Sequence, residues 1–244
     1  MNRETKIILV IVYWIGVAAL LIAAVNRAGL FADTPEIKGS IQTAHGDVSA
    51  PKLEKVFYHH EPSAANAFLG CLVAFVGGVG YLWQRRLTWD NLAAAGAGAA
   101  ALLCTIALAT GMYWAHKTWG AWWVWTPRLT LTLMLWLLYV AYLLVRSSIE
   151  PRQRRAVISA VYAVAAFVDV PLVYFSTRLI PEHEHPVSVS IDPDMKVTLM
   201  FWFAAVTLAT IGLIAALHGR AQRQLAGELA RAQDRDDAGE GLAN

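Results

Sequence analysis

The sequence predicts an all-α integral membrane protein with six transmembrane helices. Of its 244 residues, 57% are hydrophobic and 16% are charged, whereas soluble domains average about 45–50% apolar and about 25% charged residues. The mean hydropathy is +0.45, and apolar stretches of a length that crosses a bilayer recur six times. A typical water-soluble enzyme is therefore excluded. The net charge of +2 is too balanced to indicate a nucleic-acid partner.

The six predicted spans cover about residues 7–25, 64–83, 92–112, 129–145, 156–174 and 197–217. The first span is too long for the apolar region of a signal peptide and ends without a clear cleavage site, so we expect an uncleaved anchor. Gly77 and its glycine neighbours on span two, with the Ala/Gly-rich start of span three, predict close helix packing. Residues 1–217 are thus predicted to form one transmembrane domain, and residues 218–244 a charged cytoplasmic tail.

The positions of the arginines predict the orientation. Arg85 and Arg86 follow span two, four arginines follow span four, and Arg3 precedes span one. Because cytoplasmic loops are enriched in Lys and Arg, these connections and both termini are predicted to lie in the cytoplasm. The segments left on the outer side are residues 26–63, 115–128 and 175–196. Function is expected in these loops, since binding residues concentrate in loops held by a rigid scaffold.

Six of the seven histidines fall on the predicted outer side. His60 lies just before span two and His185 just beyond span five, so both are expected at a similar membrane depth. Two imidazoles from separate segments are suited to a transition metal or to the two axial positions of a haem iron. Spacing alone does not choose between these sites. No histidine falls within the six apolar stretches, which argues against an electron-transfer haem buried in the bilayer.

A tryptophan-rich segment on the outer side connects spans three and four. Its five tryptophans are Trp114, Trp119, Trp122, Trp123 and Trp125. If the segment is helical, Trp119, Trp122 and Trp123 share one face. Tryptophan is common at membrane interfaces, but four in seven residues beside Arg128 favour a planar aromatic ligand with an anionic edge. Haem has this shape, since its ring stacks on aromatic side chains and its propionates pair with arginine.

These residues resemble a known family. The run Trp119-Gly120-x-x-Trp123-x-Trp125-x-x-Arg128-Leu129-Thr130 resembles the tryptophan-rich signature of the haem-handling proteins of cytochrome c maturation, and its Arg-Leu-Thr ending is similar to the CcmC branch. Residues 167–178 are similar to the fifth span of that family, and His60-Glu61-Pro62 to its first histidine motif. The resemblance covers nearly the whole chain. One departure is Thr126, which stands where the usual motif has Asp.

The resemblance implies a haem site on the outer side. It implies His60 and His185 as the axial ligands of the haem iron, with His183 as the alternate to His185. The implied haem platform consists of Trp114, Trp119, Trp122, Trp123 and Trp125. The residues expected to contact a haem propionate or to brace the outer helix ends are Arg128, Asp169 and Arg178. Asp169 is expected either to pair with one of these arginines or to be a protonated or hydrogen-bonded structural residue, because an ionisable group in a span is costly without a partner.

The implied function is that of a carrier and assembly factor rather than an enzyme. The protein would bind b-type haem transiently and non-covalently at the periplasmic face of a bacterial-type inner membrane and present it to a periplasmic haem chaperone. Its implied partners are that chaperone, an ABC-type ATPase with its membrane subunit, and a small single-span membrane protein. Two alternatives stay open: a membrane b-type haem oxidoreductase, and a haem-free subunit of an ABC-type membrane complex whose tryptophans only anchor the interface.

Overall fold

The computed structural model describes residues 3–27, 39–43, 46–50, 55–180, 188–191 and 193–243. In this part of the chain the helices are α1 (Arg3–Arg27), α2 (Phe57–Gln84), α3 (Leu87–Trp119), α4 (Pro127–Ser147), α5 (Arg152–Ala166), α6 (Asp169–Leu179) and α7 (Pro193–Ala243). The strands are β1 (Gly39–Thr43), β2 (Gly46–Ala50) and β3 (Ser188–Ile191). We call the end of the bundle that holds residues 120–126 the outer end, and the end that holds Arg85 and Arg86 the inner end.

The predicted class is confirmed by six helical segments, among the described residues, that are long and apolar enough to cross a membrane. They are Ile7–Arg27, Phe57–Gln84, Leu87–His116, Pro127–Ser147, Arg152–Leu179 and Pro193–Asp234. Each contains one of the predicted apolar stretches and continues beyond it. As a result His60 lies on the first turn of α2, and Pro62 lies inside that helix. The apolar stretches alone suggested spans without histidine. The helices are longer than those stretches, and they do contain histidine at their outer ends.

A small antiparallel sheet adds to this helical class and was not predicted. Its strand order is β2-β1-β3. Gly39 of β1 pairs with Ala50 of β2 and with Ile191 of β3. The backbone of the last outer loop is thus hydrogen-bonded to the backbone of the first. This pairing connects the chain that follows His185 to the chain that precedes His60.

Helices α2 and α3 pack against each other at backbone distance. A Cβ atom built on Gly77 would lie 2.5 Å from the backbone nitrogen of Ala93, and one built on Gly96 would lie 2.5 Å from that of Ala74. Such distances leave no room for a side chain, so only glycine fits. The turn between the helices contains Arg85 in the left-handed conformation, with φ at 56°. The predicted close packing of these two spans is confirmed.

A buried ion pair joins α3 to α4 at the inner end. The Nη1 and Nη2 atoms of Arg146 donate to the two carboxylate oxygens of Asp90, at 2.5 and 2.7 Å. Asp90 is buried and Arg146 nearly so. A buried pair of this kind holds its helices in register, because loss of either partner leaves an uncompensated charge away from water.

The fifth span is interrupted between α5 and α6. Pro171 has no N–H group to donate to the carbonyl of Phe167, which instead accepts from the Val170 N–H at 3.1 Å. Helix α6 consequently begins anew at Asp169. The interruption places this buried carboxylate at a helix N-terminus, where the helix dipole favours negative charge.

We predict that Gly96→Ala lowers the free energy of unfolding by about 1–3 kcal/mol, because the added Cβ collides with the backbone of α2. The matched control is Gly98→Ala on the same helix, whose Cβ would meet only the end of the Leu217 side chain at 3.4 Å. SDS titration of the detergent-purified protein measures both. Equal stability of the two variants would contradict the close packing.

Candidate functional site

An aromatic cluster fills the outer end of the bundle where α1, α2, α3 and α7 meet. Its buried members are Ala24, Phe57, Tyr58, Met195 and Trp202, and Trp114 packs against them. The ring of Phe57 contacts Trp114 edge to face, with centroids 5.8 Å apart. His60 lies one turn after Phe57 and borders this cluster.

His60 is oriented by a hydrogen bond from α3. Its Nδ1 atom lies 3.1 Å from Oγ1 of Thr110. The Thr110 hydroxyl donates its own proton to the carbonyl of Ile106 at 2.7 Å, so it accepts from Nδ1–H. This pattern assigns the proton of the neutral imidazole to Nδ1 and leaves the lone pair on Nε2. Metal-binding histidines use this arrangement, in which the second ring nitrogen donates to a neighbouring group.

Three of the predicted site residues come together around this imidazole. The ring of His60 meets Trp114 edge to face at 5.6 Å, and the guanidinium of Arg128 lies within electrostatic range of it. Gly111 makes room for the ring, since a Cβ there would lie 2.9 Å from Cε1 of His60. The site therefore combines an imidazole, an aromatic wall and a cation.

Thr110, Gly111 and Trp202 also belong to this region, and the sequence analysis missed them. Trp202 of α7 contacts His59 edge to face at 4.2 Å. The sequence does carry a weak signal: a Thr-Gly pair near the outer end of span three faces His60 once spans two and three are paired antiparallel. Choosing that pair requires the helix register, which the packing of α2 on α3 sets.

The tryptophan segment is not helical beyond Trp119. Gly120 adopts the left-handed conformation, with φ at 74°, and its N–H donates to the carbonyl of His116 at 3.1 Å. This is the usual way in which glycine ends a helix. Residues 120–126 are irregular. Trp119, Trp122 and Trp123 therefore do not lie on one face of a helix, because the helix ends at Trp119.

The tryptophans that follow Gly120 make local ring contacts instead. Trp122 stacks parallel on His116, with centroids 4.2 Å apart and 2° between the planes. Trp123 meets Trp125 edge to face at 5.6 Å. Trp122 and Trp125 are 54% and 73% exposed, and Nε1 of Trp123 is buried without a hydrogen-bond partner in the described part of the chain. The segment thus offers open aromatic surface beside a buried donor.

Asp169 and Arg178 do not join this site through a direct contact. Within the residues that the structure describes, neither carboxylate oxygen of Asp169 has a hydrogen-bond partner, so the expected pairing with Arg128 or Arg178 is not present. Arg178 lies over the ring of Tyr174, 5.8 Å from its centroid. Of the expectations for Asp169, a buried structural residue at the start of α6 is the one that fits this environment.

The second predicted ligand lies outside the described residues, as does its alternate, His183. His185 comes three residues before β3, and β3 is paired with the first outer loop. Among the described residues, no group of three or more His, Cys, Asp or Glu side chains is placed to hold a metal ion. The transition-metal alternative to haem therefore has no support in that part of the molecule.

Comparison with known proteins identifies the family. The family model described as CcmC, heme exporter protein C, matches residues 3–235. The chain belongs to the CcmC family. Heme exporter protein C of Escherichia coli strain K12 is 27% identical over 188 residues, which cover 75% of this chain and 72% of that protein. The protein of the same name from Rhodobacter capsulatus is 29% identical over 162 residues, covering 66% and 67%. With its six apolar helices and bacterial CcmC relatives, this is a multi-pass bacterial membrane protein.

Thr126, which departs from the tryptophan-rich signature, has a structural role at the start of α4. It is the N-cap of α4, and its Oγ1 accepts from the Leu129 N–H at 3.3 Å. Pro127 follows as the first helical residue, where its missing N–H costs nothing. Threonine and aspartate both cap helices well. In this CcmC protein threonine therefore provides the cap without placing a negative charge two residues from Arg128.

We predict that Thr126→Ala lowers the free energy of unfolding by about 1 kcal/mol, because α4 loses its N-cap. Thr126→Asp should stay close to the parent, since a carboxylate accepts the same hydrogen bond. Thr130→Ala, an exposed position one turn later, is the control. SDS titration of the four proteins tests this. If Thr126→Ala were no less stable than Thr130→Ala, the cap would have no energetic role.

Proposed function

We propose that this CcmC protein binds haem at the outer end of the bundle and presents it to a periplasmic haem chaperone during cytochrome c maturation. Family membership supports a haem-handling component of transport or assembly rather than a catalyst. The arginine distribution along the chain supports the assignment of the outer end to the periplasm. The observation that carries the proposal is the imidazole of His60, whose Nδ1–H is engaged by Thr110 while Nε2 keeps its lone pair.

In this proposal His60 and His185 ligate the haem iron, with His183 as the alternate to His185. Haem supplies an iron centre that accepts two axial nitrogen ligands. The pairing of β1 with β3 supports this ligand pair, because it links the loop that holds His185 to the loop before His60. Thr110 has the positioning role: it holds the ring of His60 and favours the tautomer that ligates through Nε2.

The aromatic and cationic residues around His60 fit the rest of the haem molecule. The exposed rings of Trp122 and Trp125 offer surface for the macrocycle, and Trp114 already lines the imidazole. Arg128 is proposed to pair with a propionate, because its guanidinium lies near His60 and forms bidentate contacts with carboxylates. Since no covalent bond to the protein is involved, b-type haem held this way is released when the chaperone competes for it.

The proposed partners are the periplasmic chaperone, an ABC-type ATPase with its membrane subunit, and a small single-span membrane protein. The name heme exporter protein C, carried by the relatives, supports membership of an export system. The sequence has no GxxxxGK[ST] motif, so P-loop ATP hydrolysis in such a system would come from another subunit.

We predict that the purified protein shows the absorption spectrum of a low-spin, bis-histidine haem, and that His60→Ala and His185→Ala each abolish it. Each substitution removes one axial ligand from the iron. His218→Ala, halfway along α7 and just beyond the last apolar stretch, is the control and should keep the parent spectrum. The same samples, mixed with the haem chaperone, should transfer haem from the parent and from His218→Ala only.

The other possible results distinguish the alternatives. Parent-like spectra in both ligand variants would refute the assigned ligands. Rapid, reversible reduction of the haem by a quinol would favour an oxidoreductase. A folded parent protein without a haem spectrum after expression in a haem-replete host would favour a haem-free subunit of an ABC-type complex.

We predict that Thr110→Val weakens haem binding about fivefold, since one hydrogen bond to His60 is worth about 1 kcal/mol. Valine keeps the shape of threonine but cannot accept from Nδ1–H. Thr210→Val is the matched control, because the buried Thr210 hydroxyl donates only to the carbonyl of Val206. Haemin titration measures both. In the His60→Ala background the Thr110 substitution should have no further effect, and an additive loss would show that Thr110 does not act through His60.

A further inference from the structure

A basic cleft lies at the inner end of the bundle, far from the His60 region. It has a volume of about 330 Å³ and opens between α3, α4, α5 and α7. The polar residues that line it include Asn91, Arg146, Arg152, Arg155 and Gln224. We propose that this cleft binds the phosphate of an anionic phospholipid headgroup. This site is separate from the proposed haem function and does not depend on it.

The first turn of α5 indicates that an anion belongs in the cleft. Three of its first four residues are Arg152, Arg154 and Arg155, and this turn contains no acidic residue. The N-cap, Pro151, provides no side-chain hydrogen bond. A helix N-terminus carries a partial positive charge, so cations there are unfavourable on their own. A bound phosphate would make this arrangement favourable, because both the helix N-terminus and the arginines attract its negative charge.

Two buried donors in the cleft lack acceptors. Nδ2 of Asn91 and Nε of Arg155 are buried, and neither has a hydrogen-bond partner among the residues that the structure describes. Asn91 is only 7% exposed. Buried polar groups are nearly always paired. Both residues line the same cleft, so one phosphate with several acceptor oxygens would satisfy two donors that come from different helices.

The carboxylates that face the arginines of α5 do not neutralise the cleft. Arg152 contacts Glu228 at 2.9 Å, and Arg155 lies 3.7 Å from Glu150. Glu228 and Glu150 are 57% and 82% exposed, so both pairs are weakened by solvent. A phosphate held between the two arginines would compete with these surface contacts.

The buried pair of Asp90 and Arg146 forms one wall of the cleft. Because Nη1 and Nη2 of Arg146 each donate to a carboxylate oxygen of Asp90, Arg146 contributes mainly structure and little free charge. Leu143 and Ala94 provide an apolar part of the lining. A lipid headgroup fits this mixed surface better than a free phosphate ion, which gains nothing from apolar contact. Basic pockets between transmembrane helices on the cytoplasmic side are known to hold such headgroups.

Thermal unfolding of the full-length, detergent-purified protein tests the proposal, with phosphatidylglycerol, phosphatidylcholine or inorganic phosphate added in separate arms. Phosphatidylglycerol should raise the unfolding midpoint of the parent, and phosphatidylcholine and phosphate should not. Arg155→Gln and Asn91→Leu should each need at least fivefold more phosphatidylglycerol for the same shift. Arg154→Gln is the matched control, because this substitution removes the same charge from the same helical turn. Arg154 is exposed and does not line the cleft.

Three results would overturn the proposal. Equal protection by inorganic phosphate alone would show that the ligand is a free ion rather than a lipid. An Arg154→Gln effect as large as that of Arg155→Gln would indicate diffuse surface charge instead of a built site. Unchanged lipid response in both Arg155→Gln and Asn91→Leu, each folded by circular dichroism, would exclude the cleft.

Discussion

The backbone contact between α2 and α3 is the constraint on which the other features depend. Gly77 and Gly96 leave no space for side chains where these helices cross, so the two spans approach closely and their register along each other is set. At the outer end this register places Thr110 against His60. At the inner end the same register fixes the start of α3, where Asp90 forms an ion pair with Arg146 of α4. One packing solution therefore positions both a polar contact on the outer side and a buried ion pair on the inner side.

Two helix ends determine the shape of the tryptophan segment. Gly120 ends α3 in the left-handed conformation, and Thr126 begins α4 as its N-cap. The chain between them is irregular, so its indole rings are oriented by local contacts, such as the stack of Trp122 on His116. Aromatic surface stays open to solvent in this arrangement. A helix would have buried or aligned the same rings according to its own period.

The two ends of the bundle have different chemistry. The outer end combines imidazole, indole rings and one nearby guanidinium around His60. The inner end combines arginines and amides around a polar cleft, with the buried pair of Asp90 and Arg146 as its wall. A planar, apolar ligand with carboxylate edges suits the first, and a phosphate suits the second.

The sequence by itself determined the six spans, because a helix that crosses a bilayer needs a long run of apolar residues and such runs are visible in the sequence. It also determined the family, through the tryptophan signature and His60-Glu61-Pro62. Only the tertiary structure decided that Thr110 faces His60 and that Asn91 shares a cleft with the arginines of α5. It also decided that Asp169 has no arginine partner among the described residues. The physical reason is that hydropathy and local motifs report on one segment at a time. Contacts between segments depend on helix register and on where each helix ends, and these are set by packing between residues far apart in the chain.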